Sequence, residues 1–161
     1  YKVGYENQWF YPLSQTFTLM LRGDIGVGDG MSGKPLPFFK NYYAGGVSSV
    51  RGYNTSSLGP RDPTDNSIVG GSRRVVGNAE LLFPMPGMGA DRSVRIGAFV
   101  DGGQVFAPGG KIALSDVRYA AGLSLAWNSP VGPLKFSVAK PLNAKPNDNI
   151  QRLQFTLGQV F

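Results

Sequence analysis

Apolar and polar side chains alternate one for one along seven stretches of this chain, and that period of two is what most restricts its fold. Successive side chains of an extended strand point to opposite faces, so alternation sorts each stretch into an apolar row and a polar row. In the first stretch Tyr1, Val3, Tyr5, Trp9 and Tyr11 oppose Lys2, Gly4, Glu6 and Gln8, with Asn7 breaking the apolar row. In the second, Phe17, Leu19, Leu21, Ile25 and Val27 oppose Thr16, Thr18, Arg22 and Asp24. Residues 72–83 place Ala79, Leu81 and Phe83 against Asn78, Glu80 and Leu82. The fourth stretch is the cleanest, with Val94, Ile96, Ala98 and Val100 against Arg95, Gly97, Phe99 and Asp101. Val117, Tyr119, Ala121, Leu123, Leu125 and Trp127 make the fifth apolar row, and Leu134, Phe136 and Val138 the sixth, after a tight turn at residues 129–133. The seventh, residues 150–161, carries Leu153, Phe155, Leu157 and Phe161, interrupted by Gln159.

Composition agrees with an all-β chain: 12% aromatic residues, 23 glycines, and only 16% charged residues against roughly 25% in an ordinary soluble domain. Cysteine and histidine are both absent. Disulfides, the usual zinc sites, Ser-His-Asp triads and Cys-His dyads are thereby excluded. No stretch approaches 18 apolar residues, the least a spanning helix needs, but a spanning β-barrel has no such requirement. Alternation alone suits a soluble sandwich or ligand-binding barrel equally. Three details favour a transmembrane barrel. The polar rows mix small residues and glycine with Arg95, Asp101, Arg118 and Lys135, as a wet lumen would. Trp9, Tyr11, Phe83, Trp127 and Phe161 lie near strand ends, where an interfacial girdle sits. Connections of about 4, 44, 8, 10, 5 and 8 residues put short turns on one side and longer loops on the other.

The fold class expected is therefore an antiparallel transmembrane β-barrel. Single-chain bacterial barrels have an even number of strands and begin at eight, so further strands are expected upstream of Tyr1. The chain also starts inside a strand pattern, with neither an initiator methionine nor a signal peptide. The net charge of +6 is spread along the chain. It fits ordinary strand-end and loop cations, or contact with anionic lipid headgroups. No motif supports nucleic-acid binding.

The interval 28–71 breaks the strand pattern, and a loop of that length inside a compact domain is rare unless it is functional or disordered. This one has apolar groups to bury in Tyr42, Tyr43, Val47, Val50, Tyr53 and Leu58, and glycines to fold it tightly. Gly28-Asp29-Gly30-Met31-Ser32-Gly33-Lys34 imitates a phosphate-cradling loop. Pro35 replaces the magnesium-binding hydroxyl, and Leu36-Pro37 denies it the following helix. Asn54-Thr55-Ser56 fits a glycosylation acceptor only as a short chance pattern, and Asp62, Asp65 and Asp116 do not form a calcium loop. No catalytic constellation, metal site or cofactor site is legible. Arg51 stands at the centre of the loop, while Glu80 and Asp101 share the lumen-facing parity on the two strands that follow. Either the guanidinium bridges both carboxylates with forked hydrogen bonds, which lysine cannot imitate, or all three are solvated in a wet lumen.

Val50-Arg51-Gly52-Tyr53, with Tyr43-Ala44-Gly45-Gly46 before it and Leu58-Gly59-Pro60 after it, resembles the signature loop of the outer-membrane barrel-assembly family. That family includes BamA-type proteins, Sam50, Toc75 and the two-partner-secretion transporters. Asn78-Ala79-Glu80-Leu81-Leu82-Phe83-Pro84, Phe99-Val100-Asp101-Gly102-Gly103 and Trp127-Asn128-Ser129-Pro130-Val131-Gly132-Pro133-Leu134 carry the resemblance across the chain. The Ser129-to-Leu134 turn favours the BamA branch over the secretion transporters.

The resemblance implies the last seven strands of a sixteen-stranded barrel, with POTRA domains and nine strands preceding it. It implies that the long loop is tucked into the lumen with Arg51 clamped between Glu80 and Asp101. It also implies a last strand that pairs weakly with the first, with Phe155, Leu157 and Phe161 as a C-terminal assembly signal. The function implied is non-enzymatic folding and insertion of β-barrel clients in the bacterial outer membrane, aided by accessory lipoproteins and outer-membrane lipids. A two-partner-secretion pore and, further off, a soluble ligand-binding barrel are the alternatives. A seven-stranded piece with two open edges has a route to self-association.

Overall fold

The computed structural model describes residues 1–31, 34, 36–89 and 91–157. Its strands are β1 (Lys2–Pro12), β2 (Thr18–Gly28), β3 (Gly52–Tyr53), β4 (Arg73–Pro84), β5 (Val94–Phe106), β6 (Arg118–Ser129), β7 (Gly132–Pro141), β8 (Ile150–Gln151) and β9 (Leu153–Leu157). Seven of them form one antiparallel sheet in the order β1-β2-β4-β5-β6-β7-β9, and β3 pairs only with β8. The sheet is open, with β1 and β9 at its edges.

Register carries the alternation across the whole sheet. Tyr11, Leu19, Leu81, Ala98, Leu123, Val138 and Leu153 are successive cross-strand partners, an unbroken apolar row over seven strands. This outer face leaves Leu123, Val138, Leu153, Phe155 and Leu157 exposed, while Asp24, Glu80, Asp101, Arg118 and Gln154 are buried on the other. An apolar exterior around a charged interior inverts a soluble barrel, so the ligand-binding alternative fails. Phe155 stacks 4.7 Å from Phe136 across β7 and β9, and Leu157 lies on the same outer face. Phe161 and Gln159 lie outside the described residues, as do Ser32, Gly33 and Pro35 of the phosphate-loop imitation.

The structure differs from the sequence expectation in several places. The turn expected over residues 129–133 is only Pro130-Val131, because Ser129 pairs directly with Gly132 and its Oγ donates to the Gly132 carbonyl at 2.6 Å. β5 does end where expected, at Phe106 opposite Arg73 and just before the loop that begins at Ala107, although Gly102 and Gly103 have no side chains to alternate. Val117, expected in an outward row, is buried, because it ends a 3₁₀ turn (Leu114–Asp116) and precedes the strand. Val47, expected to be buried, is exposed on a turn that projects into a lumen cavity of about 240 Å³. The last strand is not one strand: it changes partner at Arg152.

From residue 36 to residue 72 the interval between β2 and β4 is a built loop. Tyr42 and Gly71 bridge at its neck, and Ala44 and Leu58 bridge again below. Tyr42, Ala44, Val50, Tyr53 and Leu58 then pack against Val76, Val105 and Ala120 of the wall, making the main hydrophobic core lie between loop and sheet. Each of the larger groups contributes roughly 1.5–3 kcal/mol when fully buried.

Candidate functional site

The loop tip enters the lumen through a turn at residues 46–50, with the Ser49 amide donating to the Gly46 carbonyl and the Gly46 amide to the Val50 carbonyl. The next residue is Arg51, 4% exposed, facing Asp101 (0%) on β5 and Glu80 (1%) on β4. Its Nε donates to Asp101 Oδ2 at 2.7 Å and its Nη2 to Asp101 Oδ1 at 2.8 Å, a two-pronged fork. Its Nη1 donates to Glu80 Oε2 at 2.8 Å, and its backbone amide donates to Asp101 Oδ2 at 3.0 Å. The guanidinium carbon also lies 3.4 Å from the centre of the Phe99 ring, a cation–π contact on its free face. Burial acts to lower the Arg51 pKa, but the hydrogen bond and charge of Asp101, and then those of Glu80, outweigh it and raise the pKa further.

Two acids against one guanidinium would leave a buried negative charge. Lys135 on β7 supplies the balance, its Nζ standing 3.5 Å from Glu80 Oε2. Ser124 on β6 donates to the other Glu80 oxygen. Gly97 is what makes room, since a Cβ there would collide with both the Glu80 carboxylate and the Ser124 hydroxyl. The residues at the tip are held as well. Arg22 Nη1 donates to the Ser48 carbonyl at 2.9 Å, and Asn78 Nδ2 to the Ser49 carbonyl at 2.6 Å.

Val50 and Tyr53 are fully buried beside the cluster, and Gly52 has φ +92°, a conformation that costs an L side chain. A Cβ on Gly52 would stand 3.1 Å from the Ala139 Cβ and 3.4 Å from the Ala120 Cβ. The Tyr53 hydroxyl donates to the Tyr119 carbonyl at 3.3 Å, and its own carbonyl accepts from Gln154 Nε2 at 2.8 Å. Burial, reinforced by the Asp148 charge and partly opposed by Arg118, pushes the Tyr53 phenol up to about 12.

The structure thus brings Arg51, Glu80 and Asp101 together, with Val50, Gly52 and Tyr53 packed beside them. Phe155 and Leu157 lie away from this cluster, on the outer face. Of the further residues at the cluster, Phe99 and Lys135 stood in the sequence only as members of inward rows, and Ser124 and Gln154 share that parity opposite Leu123, Leu125, Leu153 and Phe155. Asn78 and Arg22 likewise stood only as row members. Among the described residues no three His, Cys, Asp or Glu side chains converge as metal ligands. The cluster's chemistry is to hold, through ion pairs and forked hydrogen bonds.

A wall apolar outside and charge-lined inside, with a loop ion-paired to the inner face, defines a segment of a membrane β-barrel with an internal loop. The Omp85 superfamily domain matches residues 1–161, and the chain belongs to that superfamily. It is part of an integral outer-membrane β-barrel. All of the chain aligns at 42% identity with the outer membrane protein assembly factor BamA of Neisseria meningitidis serogroup B, covering 24% of that protein. A SAM50-like protein of Schizosaccharomyces pombe is 27% identical over 92% of the chain and 32% of its own length. The solved structure of BamA from Haemophilus ducreyi lacking POTRA domains 1–3 superimposes with a TM-score of 0.87 at 30% identity, over 96% of this chain and 34% of that one. The chain therefore spans about a quarter to a third of the length of these relatives.

Proposed function

We propose that this chain forms the C-terminal seven strands of a sixteen-stranded barrel that folds and inserts β-barrel proteins into a bacterial outer membrane. On this reading POTRA domains and nine earlier strands precede it, and residues 28–71 are an extracellular loop folded inward. Unfolded outer-membrane proteins are its clients, and accessory lipoproteins and surrounding lipids its partners. The work is non-covalent. Each unpaired backbone amide or carbonyl costs several kcal/mol in lipid, so a client strand gains by hydrogen-bonding to the edge that the last strand offers.

The observation that carries this reading is the buried Arg51 fork on Asp101 and Glu80, in a chain whose relatives bear the name of an assembly factor. Arg51, Glu80 and Asp101 act as the clamp of the loop, with Val50, Gly52 and Tyr53 as its seat. The test is complementation: full-length protein carrying Arg51→Ala replaces the wild-type copy in a depletion strain. Growth, outer-membrane protein levels and the heat-modifiable gel mobility of the barrel should all fall, and Arg51→Lys should restore them only in part. Wild-type growth and mobility with Arg51→Ala would sink the assignment.

A further inference from the structure

The terminal segment of this chain has two backbone partners. Residues 153–157 pair with β7 in five register positions, from Val138↔Leu153 to Leu134↔Leu157. The Ala139 amide then donates to the Arg152 carbonyl at 2.8 Å, and there the pairing with the wall ends. Above that point Gln151 and Ile150 pair with Gly52 and Tyr53, and the Asn54 amide donates to the Asn149 carbonyl at 2.8 Å. Gln154, buried and on the wall side of the switch, reaches across to donate to the Tyr53 carbonyl at 2.8 Å. The two residues of the loop that follow Arg51 are therefore the two that the last strand uses as its upper partner.

We propose that the seated loop tip sets the register and inward course of the last strand, with Gln154 and Gly52 as positioning residues that couple the Arg51 clamp to the barrel's terminal edge. The coupling is geometric. Arg51 is fixed on β4 and β5, which places Gly52 against Ala120 and Ala139 of β6 and β7. In that position the backbone edge of Gly52-Tyr53 faces the terminal segment, and Asn149 to Gln151 pair along it. While the loop is seated, pairing along the wall starts only at Arg152 and Leu153, and the residues before them are held by the loop. Withdrawal of the loop removes the upper partner and frees residues 149–151 to move. The consequence for strand addition rests on the function proposed above; the coupling itself does not, and is measured without clients.

The experiment uses the full-length protein in detergent, with amide hydrogen exchange read in two peptides, one over the loop tip and one over residues 149–157. Gln154→Met keeps side-chain length and removes the donor to Tyr53. Exchange at residues 149–154 should rise roughly tenfold, the size expected when one buried hydrogen bond is lost, while β1 and β2 are unchanged. Arg51→Ala should raise exchange at the loop tip and at residues 149–154 together. Should the loop tip exchange faster in Arg51→Ala while residues 149–154 keep wild-type protection, the coupling is refuted. A second arm does not depend on either variant folding. Tyr53 and Ile150 face each other in the ladder, and these 161 residues contain no cysteine. The pair Tyr53→Cys, Ile150→Cys should close a disulfide under mild oxidation, and failure to crosslink overturns the proposal.

Discussion

The two edge strands of this sheet occupy equivalent positions and are held in different ways. β1 pairs with β2 at eleven consecutive positions, from Lys2↔Gly28 to Pro12↔Thr18. Along β1 the loop adds a side-chain tether, the Tyr42 hydroxyl donating to the Val3 carbonyl at 2.8 Å with Lys2 4.0 Å from the centre of its ring, and just before the strand the Asp29 amide donates to the Tyr1 carbonyl at 3.0 Å, continuing the β1–β2 ladder. Among the described residues the terminal segment has five wall positions and two loop positions. One edge is therefore a property of the wall, and the other is a joint property of wall and loop. Perturbing the loop should loosen the second edge and leave the first in place.

Arg51→Ala is expected to have the largest effect. It leaves Glu80 and Asp101 buried with one lysine between them, and removing one member of a buried ionic cluster typically costs about 3–5 kcal/mol. The loop should unseat, heat-modifiable mobility should be lost, and proteolysis should cut within residues 44–58. Protection along β1 should persist. If β1 and the terminal segment lose protection equally, the division between the edges is wrong.

Gly52→Ala comes next. The added methyl meets the Ala139 and Ala120 side chains at 3.1 and 3.4 Å in a backbone conformation with φ +92°. Strain of this kind costs of order 1–3 kcal/mol. It should act on residues 149–154 with Arg51 still paired, separating the seat from the clamp. Glu80→Gln should cost less, because Asp101 keeps both of its bonds to the guanidinium. The loss falls on the Glu80 contacts with Arg51 and Lys135 and is expected at about 1.5 kcal/mol, the low end of the range for a hydrogen bond to a charged group. Thermal denaturation in detergent measures both variants.

These rankings draw on features of unequal visibility in the sequence. The seven wall strands were legible because alternation is a direct consequence of strand geometry, and the inward parity of Glu80 and Asp101 followed from it. Past Asp101 the extent of β5 was legible only from where the next loop begins, at Ala107, since Gly102 and Gly103 have no side chains to alternate. The division of the last strand was hidden. Leu153, Phe155 and Leu157 alternate in the same way whichever backbone lies beside Ile150 and Gln151. Lys135 and Ser124 read only as inward polar residues, because periodicity reports a face and not a distance. That both reach Glu80 depends on register across three strands and on the space left at Gly97, neither of which is written locally.

The smallest effect at neutral pH, and the most selective for the terminal edge, is the ionisation of Tyr53. Its phenol is held at about 12 in the folded protein, against 10.0 in the free side chain. Below pH 10 both states are protonated, so the contribution to stability is complete. As pH rises from 10 to 12 the unfolded phenol ionises first, and stability is lost progressively, on the order of 2 kcal/mol in all. The melting temperature should therefore fall across that window more steeply in wild-type protein than in Tyr53→Phe, with the two alike at pH 7 apart from the loss of the bond to the Tyr119 carbonyl. Burial raises the Tyr42 phenol as well, so tyrosinate absorbance should show a late-titrating wave that the variant reduces by one phenol. A single wave near pH 10 in both proteins would place Tyr53 in water, and with it the upper half of the last strand.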